Sequence, residues 1–135
     1  LRPVLSWRCR SQLTKVVPAG SFVGYGCTHR VADATRIAVL PVGYHDGYPR
    51  LLSNRAHVLV DGRRCPVIGR VMMNHLIIDL RGVPGDPVEV EAVLLGRSGD
   101  EVLTADDLAD WAQTINYELV TCLGTHLQRV VVGGV

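Results

Sequence analysis

The chain has 135 residues, 47% of them hydrophobic, and a formal net charge of +1 at neutral pH. This length suits one hydrophobic core, so residues 1–135 are expected to form a single domain. Acidic and basic residues are mixed along the chain, which argues against a nucleic-acid-binding surface, and the apolar runs are too short for a membrane span.

The cysteines and histidines are too widely spaced to suggest a metal site. The four cysteines include no Cys-x-x-Cys pair, and the five histidines lack ligand spacing. No secretory signal is present, so we expect a cytoplasmic protein with reduced thiols. The first residue is Leu1 instead of Met, so we also expect a piece of a longer protein.

The first part of the chain predicts short strands, and one of them ends at a glycine-flanked tyrosine. Tyr25 stands between Gly24 and Gly26, and glycines allow a sharp bend or a close approach to a ligand. The phenol could project into a cleft there, or belong to a core or barrel-rim tyrosine. The predicted elements are strands over 1–17, 22–25 and 35–41, with a loop or hairpin over 28–33.

A loop rich in glycine and proline follows, over residues 42–50. Its two tyrosines, Tyr44 and Tyr48, and Arg50 could form a binding surface. They could equally cover the end of a barrel.

The middle of the chain predicts a hairpin and then an interrupted strand. Asp61-Gly62 between the runs 56–60 and 63–68 favours a type I′ turn. The stretch 67–79 has strand character at both ends, and its polar interruption at Asn74-His75 suggests a bulge or bend that frees backbone N–H groups.

The last part of the chain predicts a half-buried strand followed by helix. Val88 and Val90 alternate with glutamates at the start of a strand over 88–95. Thr104 and Asp107 have the spacing of a helix start. The remaining predictions are turns over 82–87, a loop over 97–100, a helix over 104–113, a second helical segment from about 116 to before 124, a strand over 128–132 and frayed residues at 133–135. Together they predict a mainly-β fold, a closed or partly open Greek-key-like β-barrel with one or two short helices near the C-terminus.

Five motifs in this order resemble the C-terminal domain of alanine racemase: VGYGCTHR, AVLPVGYHDGYPR, VGYHDGYPRLLSN, RRCPVIGRVMMNHLIIDL and TINYELVTCL. The resemblance covers nearly the whole chain. It implies a pyridoxal 5'-phosphate-dependent isomerase that interconverts L- and D-alanine and supplies D-alanine for cell-wall peptidoglycan. It also implies a head-to-tail homodimer with a small amino acid as substrate.

The resemblance assigns roles to individual residues. Tyr25 matches the tyrosine that serves as base on one face of the substrate, acting on the partner subunit's site. Met73 matches the residue whose backbone N–H holds the substrate carboxylate, and Tyr117 matches the tyrosine at the cofactor phosphate. The substrate-access corridor is matched by Tyr44, Arg50, Arg70, Asn74 and Ile115. Asn74 departs from the acid usual there, which implies altered corridor charge.

The lysine that serves the other face and holds the cofactor covalently is in the family's N-terminal (β/α) barrel, which this chain lacks. Lys15 is the only lysine here and matches no catalytic position. The chain alone is therefore expected to bind no cofactor covalently and to be inactive. Two alternatives stay open: a serine-preferring racemase domain, and a non-catalytic β-barrel binding module derived from this fold. Metal or redox binding through Cys and His is a third and weaker one.

Overall fold

The computed structural model describes residues 2–133, which form ten β-strands and two α-helices. The strands are β1 (Trp7–Arg10), β2 (Leu13–Val17), β3 (Phe22–Val23), β4 (His29–Arg30), β5 (Thr35–Leu40), β6 (His57–Val60), β7 (Arg63–Pro66), β8 (Leu76–Asp79), β9 (Glu91–Ser98) and β10 (Glu101–Leu103). The helices are α1 (Ala105–Ala112) and α2 (Asn116–Thr121). Of the residues 133–135 that were expected to fray, 134 and 135 lie outside the described residues.

The strands form three antiparallel sheets that do not close. The first has the order β1-β9-β6-β7, with β10 also paired to β9; the second is β2-β5-β8; and the third is the hairpin β3-β4. The end strands β1 and β7 of the first sheet are not paired with each other. The fold is therefore an open β-sandwich. The predicted β-barrel is wrong, whereas the mainly-β class and the two C-terminal helices are confirmed.

The strand predicted over residues 1–17 is wrong as one element because the chain changes sheets at Ser11. The Ser11 N–H donates to the Val90 carbonyl at 2.9 Å, and the Ser11 hydroxyl accepts from the Val90 N–H at 3.0 Å. The next residue, Gln12, already donates to the Val39 carbonyl. β1 thus pairs with β9 and β2 with β5.

Strand pairing is also interrupted after Val67, where the sequence predicts strand. Val67 forms only an isolated bridge with Ile78. Gly69 has φ of 77°, and a Cβ atom there would lie 2.5 Å from the Val23 carbonyl oxygen. The chain therefore turns out of the sheet to pass beside Val23, and it returns as β8. The bend expected around Asn74 is a wider turn that begins at Gly69.

The strand predicted over 88–95 is present but lies three residues later, as β9. The Thr14 hydroxyl donates to the carbonyls of Pro87 and Val88, at 3.0 and 3.1 Å. These two carbonyls therefore accept from a side chain and take no part in strand pairing. Val88 is 89% exposed and Val90 only 5%, so the two do not share a buried face. The loop predicted over 97–100 is the tight end of the hairpin β9-β10, and residues 128–132 form no strand.

Two local predictions are confirmed by backbone geometry. Asp61 and Gly62 have φ of 49° and 73°, the two positive values that a type I′ turn requires. Thr104 caps α1: its hydroxyl accepts from the Asp107 N–H at 3.1 Å, and the Asp107 carboxylate accepts from the Thr104 N–H at 2.8 Å.

The core has a main cluster to which the first sheet, the second sheet and both helices contribute, and a small cluster beneath the β3-β4 hairpin. The small cluster is formed by Val23, Val31, Ile37 and Ile68. It fixes the base of the turn that carries Tyr25, because Val23 is only 4% exposed. No helix between residues 2 and 133 is long and apolar enough to cross a membrane.

Candidate functional site

Tyr25 lies on an exposed 3₁₀ turn, Tyr25–Cys27, immediately after the buried end of β3. Gly24 and Gly26 both have positive φ, 77° and 73°, a region that residues with a Cβ atom rarely adopt. The chain can therefore reverse direction within three residues. The side chain of Tyr25 is left 71% exposed, although it follows directly on a core strand.

The Tyr25 turn rests on the backbone of a second turn, Gly69–Met73, which we call the methionine turn. A Cβ atom on Gly24 would lie 3.1 Å from the Arg70 backbone nitrogen, and one on Gly26 would lie 3.2 Å from Arg70 Nε. Arg70 Nε is buried and has no hydrogen-bond partner within the described residues. The two turns are thus in contact, and the Arg70 guanidinium lies beside the turn that carries Tyr25.

Asn54 holds these two turns together. Its Oδ1 accepts from the Gly69 N–H at 2.7 Å, and its Nδ2 donates to Thr28 Oγ1 at 3.1 Å. The neighbouring Ser53 hydroxyl accepts from the Val71 N–H at 2.8 Å. Neither residue was among the candidates predicted from the sequence. Asn54 has φ of 58°, a left-handed conformation that asparagine tolerates better than most residues. An asparagine in a turn is the only feature of the sequence that could have indicated this role.

Replacing Asn54 should therefore destabilise the protein by two separable effects. Asn54→Gly keeps the backbone conformation but leaves the Gly69 N–H without its acceptor, a loss of about 1–3 kcal/mol. Asn54→Ala should lose about 1–2 kcal/mol more than Asn54→Gly, because the left-handed conformation is strained for alanine. Urea unfolding of both variants measures the difference. Asn74→Ala, at an exposed asparagine directly after the methionine turn, is the control; equal stability of all three variants would contradict the role of Asn54.

The methionine turn is also held from the other side, by the loop that contains Tyr44. The Tyr44 N–H donates to the Met72 carbonyl at 3.1 Å, and the His45 N–H donates to the Met73 carbonyl at 3.0 Å. A Cβ atom on Gly43 would lie only 2.1 Å from the Met72 carbonyl oxygen. The loop and the turn are therefore in direct backbone contact at Gly43.

These contacts fix the direction of the Met73 N–H. In a trans peptide the N–H points opposite to the carbonyl of the same unit. The Met72 carbonyl points towards Tyr44, so the Met73 N–H points away from that loop. Within residues 2–133 the Met73 N–H donates to no backbone oxygen, and the residue is 53% exposed. This N–H is available to an acceptor from outside.

A small cavity of about 190 Å³ lies beside the Tyr25 turn and contains two arginines. It is lined by Thr28, Arg50, Ser53, Asn54 and Arg70. Two guanidinium groups provide fixed positive charge and several donors, which suits a carboxylate. Arg50 and Arg70, predicted to share a corridor, are thus brought together by the fold.

The two tyrosines of the 42–50 loop have different environments. Tyr44 is 43% exposed, on the side of the methionine turn. Tyr48 is fully buried and packs edge-on against Trp7, with ring centroids 6.0 Å apart. Burial raises the pKa of Tyr48 well above its usual range, so its hydroxyl stays protonated. Tyr48 therefore belongs to the core and is not part of a binding surface, whereas Tyr44 is exposed and remains a candidate.

Tyr117 lies at a different cavity, and Ile115, two residues before it, lines neither cavity. Both are at the start of α2, 75% and 60% exposed. Tyr117 lines a groove of about 1100 Å³ between α2, the end of β9 and the segment before β1. The cavity with Arg50 and Arg70 does not include either residue. Asn74 is exposed and directly follows the methionine turn. In residues 2–133 no three His, Cys, Asp or Glu side chains are grouped as metal ligands.

The fold and these loops define a type of domain: an antiparallel β-sandwich that presents a tyrosine, a free peptide N–H and two arginines on its open surface. The chain belongs to the alanine racemase C-terminal domain family, whose model matches residues 4–131. The resemblance suggested by the motifs is therefore confirmed.

Individual relatives agree with this assignment. The chain is 49% identical over 129 residues to the alanine racemase of Methylacidiphilum infernorum, covering 96% of this chain and 33% of that protein. It is 50% identical over 132 residues to the alanine racemase of Symbiobacterium thermophilum, covering 96% and 34%. The chain thus spans about a third of the length of these relatives.

Solved structures show the same fold at this level of identity. The alanine racemase of Streptomyces coelicolor A3(2) matches with a TM-score of 0.91 at 40% identity, over 99% of this chain and 35% of that one. The Bacillus anthracis alanine racemase with bound L-Ala-P matches at 0.86 and 36% identity, over 92% and 31%. The Bartonella henselae alanine racemase with covalently bound pyridoxal phosphate matches at 0.86 and 25% identity, over 93% and 34%.

Proposed function

We propose that this chain is the C-terminal part of a pyridoxal 5'-phosphate-dependent alanine racemase, which interconverts L- and D-alanine and supplies D-alanine for peptidoglycan. The observation that carries the proposal is the contact between the Tyr25 turn and the methionine turn in a chain of this family. This contact puts an exposed phenol and a free N–H on neighbouring backbone segments. A proton-transfer group and a carboxylate-binding group are the two groups that racemisation of an amino acid needs from one side.

Tyr25 is the proposed base. Racemisation removes the Cα proton from one face of the substrate and returns a proton to the other, so two groups on opposite faces are needed. Tyr25 is 71% exposed in this chain, which leaves its phenol free to enter a site completed by other residues. In a head-to-tail homodimer that site would be the partner subunit's.

Substrate binding is the proposed role of the surrounding groups. The Met73 N–H would donate to the substrate carboxylate. Arg50 and Arg70 would attract that carboxylate on its way in, since both line the small cavity beside the Tyr25 turn. Tyr44, Asn74 and Ile115 would form the rest of the corridor. Asn74 would make that corridor less negative than the acid usual at this position.

The residues of this chain fit only a contributing role towards the cofactor. When bound, pyridoxal phosphate withdraws electrons and makes the Cα proton removable. Tyr117 has an exposed hydroxyl that would donate to its phosphate. Lys15, the single lysine, lies in β2 opposite Ile37 and lines neither cavity. The covalent attachment would therefore come from outside this chain.

The experiment compares the full-length protein with the 135-residue chain. We expect the full-length protein to racemise L-alanine in the presence of the cofactor and to prefer it over L-serine. The chain alone should show neither racemisation nor a borohydride-trappable absorbance band after cofactor is added. Faster turnover of serine would favour the serine-preferring alternative, and a full-length protein inactive on both would favour the non-catalytic binding module.

A further inference from the structure

A cluster of three ionisable side chains joins the Tyr44 loop to the segment that follows α2. His126 Nε2 and Asp46 Oδ1 are 2.7 Å apart. The rings of His126 and His45 are stacked, with centroids 4.9 Å apart and an interplanar angle of 27°. The side chain of Asp46 is only 14% exposed, whereas that of His126 is 47% exposed. Asp46 is therefore the inner member of this cluster.

Asp46 closes the Tyr44 loop on itself with both its side chain and its backbone. Its Oδ2 accepts from the Gly43 N–H at 3.0 Å, and its own N–H donates to the Gly43 carbonyl at 3.0 Å. The carboxylate half of this arrangement is the one found in a helix capping box, and the other half is an ordinary backbone hydrogen bond of a tight turn. Gly43 is thus held at both its N–H and its carbonyl by one residue.

Asp46 also joins this loop to the segment that follows α2. Its backbone carbonyl accepts from the Gly124 N–H at 2.9 Å, in addition to the His126 contact of its side chain. At the neighbouring Gly47, a Cβ atom would lie 2.2 Å from the Cys122 carbonyl oxygen. The loop is therefore packed directly against the end of the helix whose first turn carries Tyr117.

The conformation of Gly43 determines where the Met73 N–H points. Gly43 packs against the Met72 carbonyl, and the next N–H, that of Tyr44, donates to that carbonyl. The Met72 carbonyl and the Met73 N–H belong to one rigid peptide unit. A shift of the Gly43–Tyr44 backbone therefore rotates the Met73 N–H.

We propose that Asp46 is a positioning residue for substrate binding, which orients the Met73 N–H through Gly43 and Tyr44 and is itself held in place by His126. This inference rests on the proposed function, because it takes the Met73 N–H as the donor to the substrate carboxylate. Both carboxylate oxygens of Asp46 must act as acceptors, since the Gly43 N–H and the His126 Nε2–H are both donors. An asparagine side chain has one accepting oxygen, so it can replace only one of these two acceptors. Its NH2 group could pair with His126 only if His126 carried its proton on Nδ1.

The test uses the full-length protein with the variants Asp46→Ala and Asp46→Asn. Asp46→Ala should raise the KM for alanine by about five- to tenfold, the factor that corresponds to the loss of one capping hydrogen bond. The kcat should fall by less than about twofold. Asp46→Asn should restore part of the affinity, because its carbonyl oxygen can still accept from the Gly43 N–H. The matched control is Asp107→Ala, which removes the same kind of cap at α1 and should lower Tm without changing KM.

Hydrogen exchange measured by mass spectrometry gives a second readout that needs no turnover. Asp46→Ala should speed amide exchange in peptides that cover residues 42–47 and 70–76, whereas Asp107→Ala should not. An unchanged KM together with unchanged exchange would overturn the inference. If the unaltered protein does not racemise alanine, the proposed function fails, and the exchange rates alone then decide whether Asp46 orders the methionine turn.

Discussion

Replacing Tyr25 by phenylalanine in the full-length protein is expected to lower the rate of alanine racemisation by about 10²–10⁴-fold, the usual contribution of a positioned acid or base. The substitution removes only the hydroxyl. The side chain is 71% exposed, so the free energy of unfolding should change by less than about 0.5 kcal/mol. The measurement is the racemisation rate from each isomer, together with exchange of the Cα hydrogen with deuterium from solvent. Exchange starting from L-alanine should be lost more than exchange starting from D-alanine.

Tyr44→Phe is the matched control, since Tyr44 is the other exposed tyrosine on this face. Its hydroxyl is proposed to line the corridor without touching the reacting atoms, so its removal should alter KM more than kcat. A second experiment tests action across subunits. Tyr25→Phe subunits mixed with subunits that lack the cofactor-binding lysine should regain activity, because one intact site forms in each mixed dimer. Unaltered kinetics of Tyr25→Phe would exclude the assigned role.

The local geometry of the candidate site was largely predictable, because single residues determine it. The Gly-Tyr-Gly sequence requires a bend whichever sheet precedes it, and the structure has one with both glycines at positive φ. The Asp61-Gly62 turn and the Thr104–Asp107 cap were predictable for the same reason. In each case the signal and the structure lie within four residues.

The partners across the fold could not be predicted, since they join residues far apart in sequence. Asn54 bonds to Thr28 and Gly69, and Asp46 bonds to His126, 80 positions away. Nothing in the residues around Asn54 or Asp46 indicates which segment will lie opposite. Both were therefore absent from the candidate residues, although each holds one side of the methionine turn.

The errors in strand assignment have the same origin. Residues 1–17 alternate like one strand, and the exchange of partners at Ser11 depends on Val90, far along the chain. The barrel prediction failed because period and turn spacing are the same in an open sandwich and in a barrel. Whether β1 pairs with β7 depends on contacts between segments more than 50 residues apart, which neither the period nor the turn spacing encodes.

Replacing Gly43 by alanine is expected to be the most disruptive single-methyl addition on this face. The new Cβ atom would lie 2.1 Å from the Met72 carbonyl oxygen and 2.4 Å from that of Met73. Both are backbone atoms, so neither can rotate away as a side chain would. We expect a loss of about 3 kcal/mol in the free energy of unfolding, the upper part of the range for overpacking. We also expect a higher KM for alanine, because the Tyr44–Met72 hydrogen bond cannot persist at that separation.

Gly82→Ala provides the control with the same chemical change. A Cβ atom there has no neighbour within 4 Å, so urea unfolding should give a change within about 0.5 kcal/mol, as for an unstrained surface site. The Gly43 backbone is extended, with φ of −152°, and alanine adopts that conformation without strain. A destabilisation confined to Gly43→Ala would therefore arise from the clash with the methionine turn. Equal stability of the two variants would mean that the loop and the turn are not in contact, and the orientation of the Met73 N–H would then need another cause.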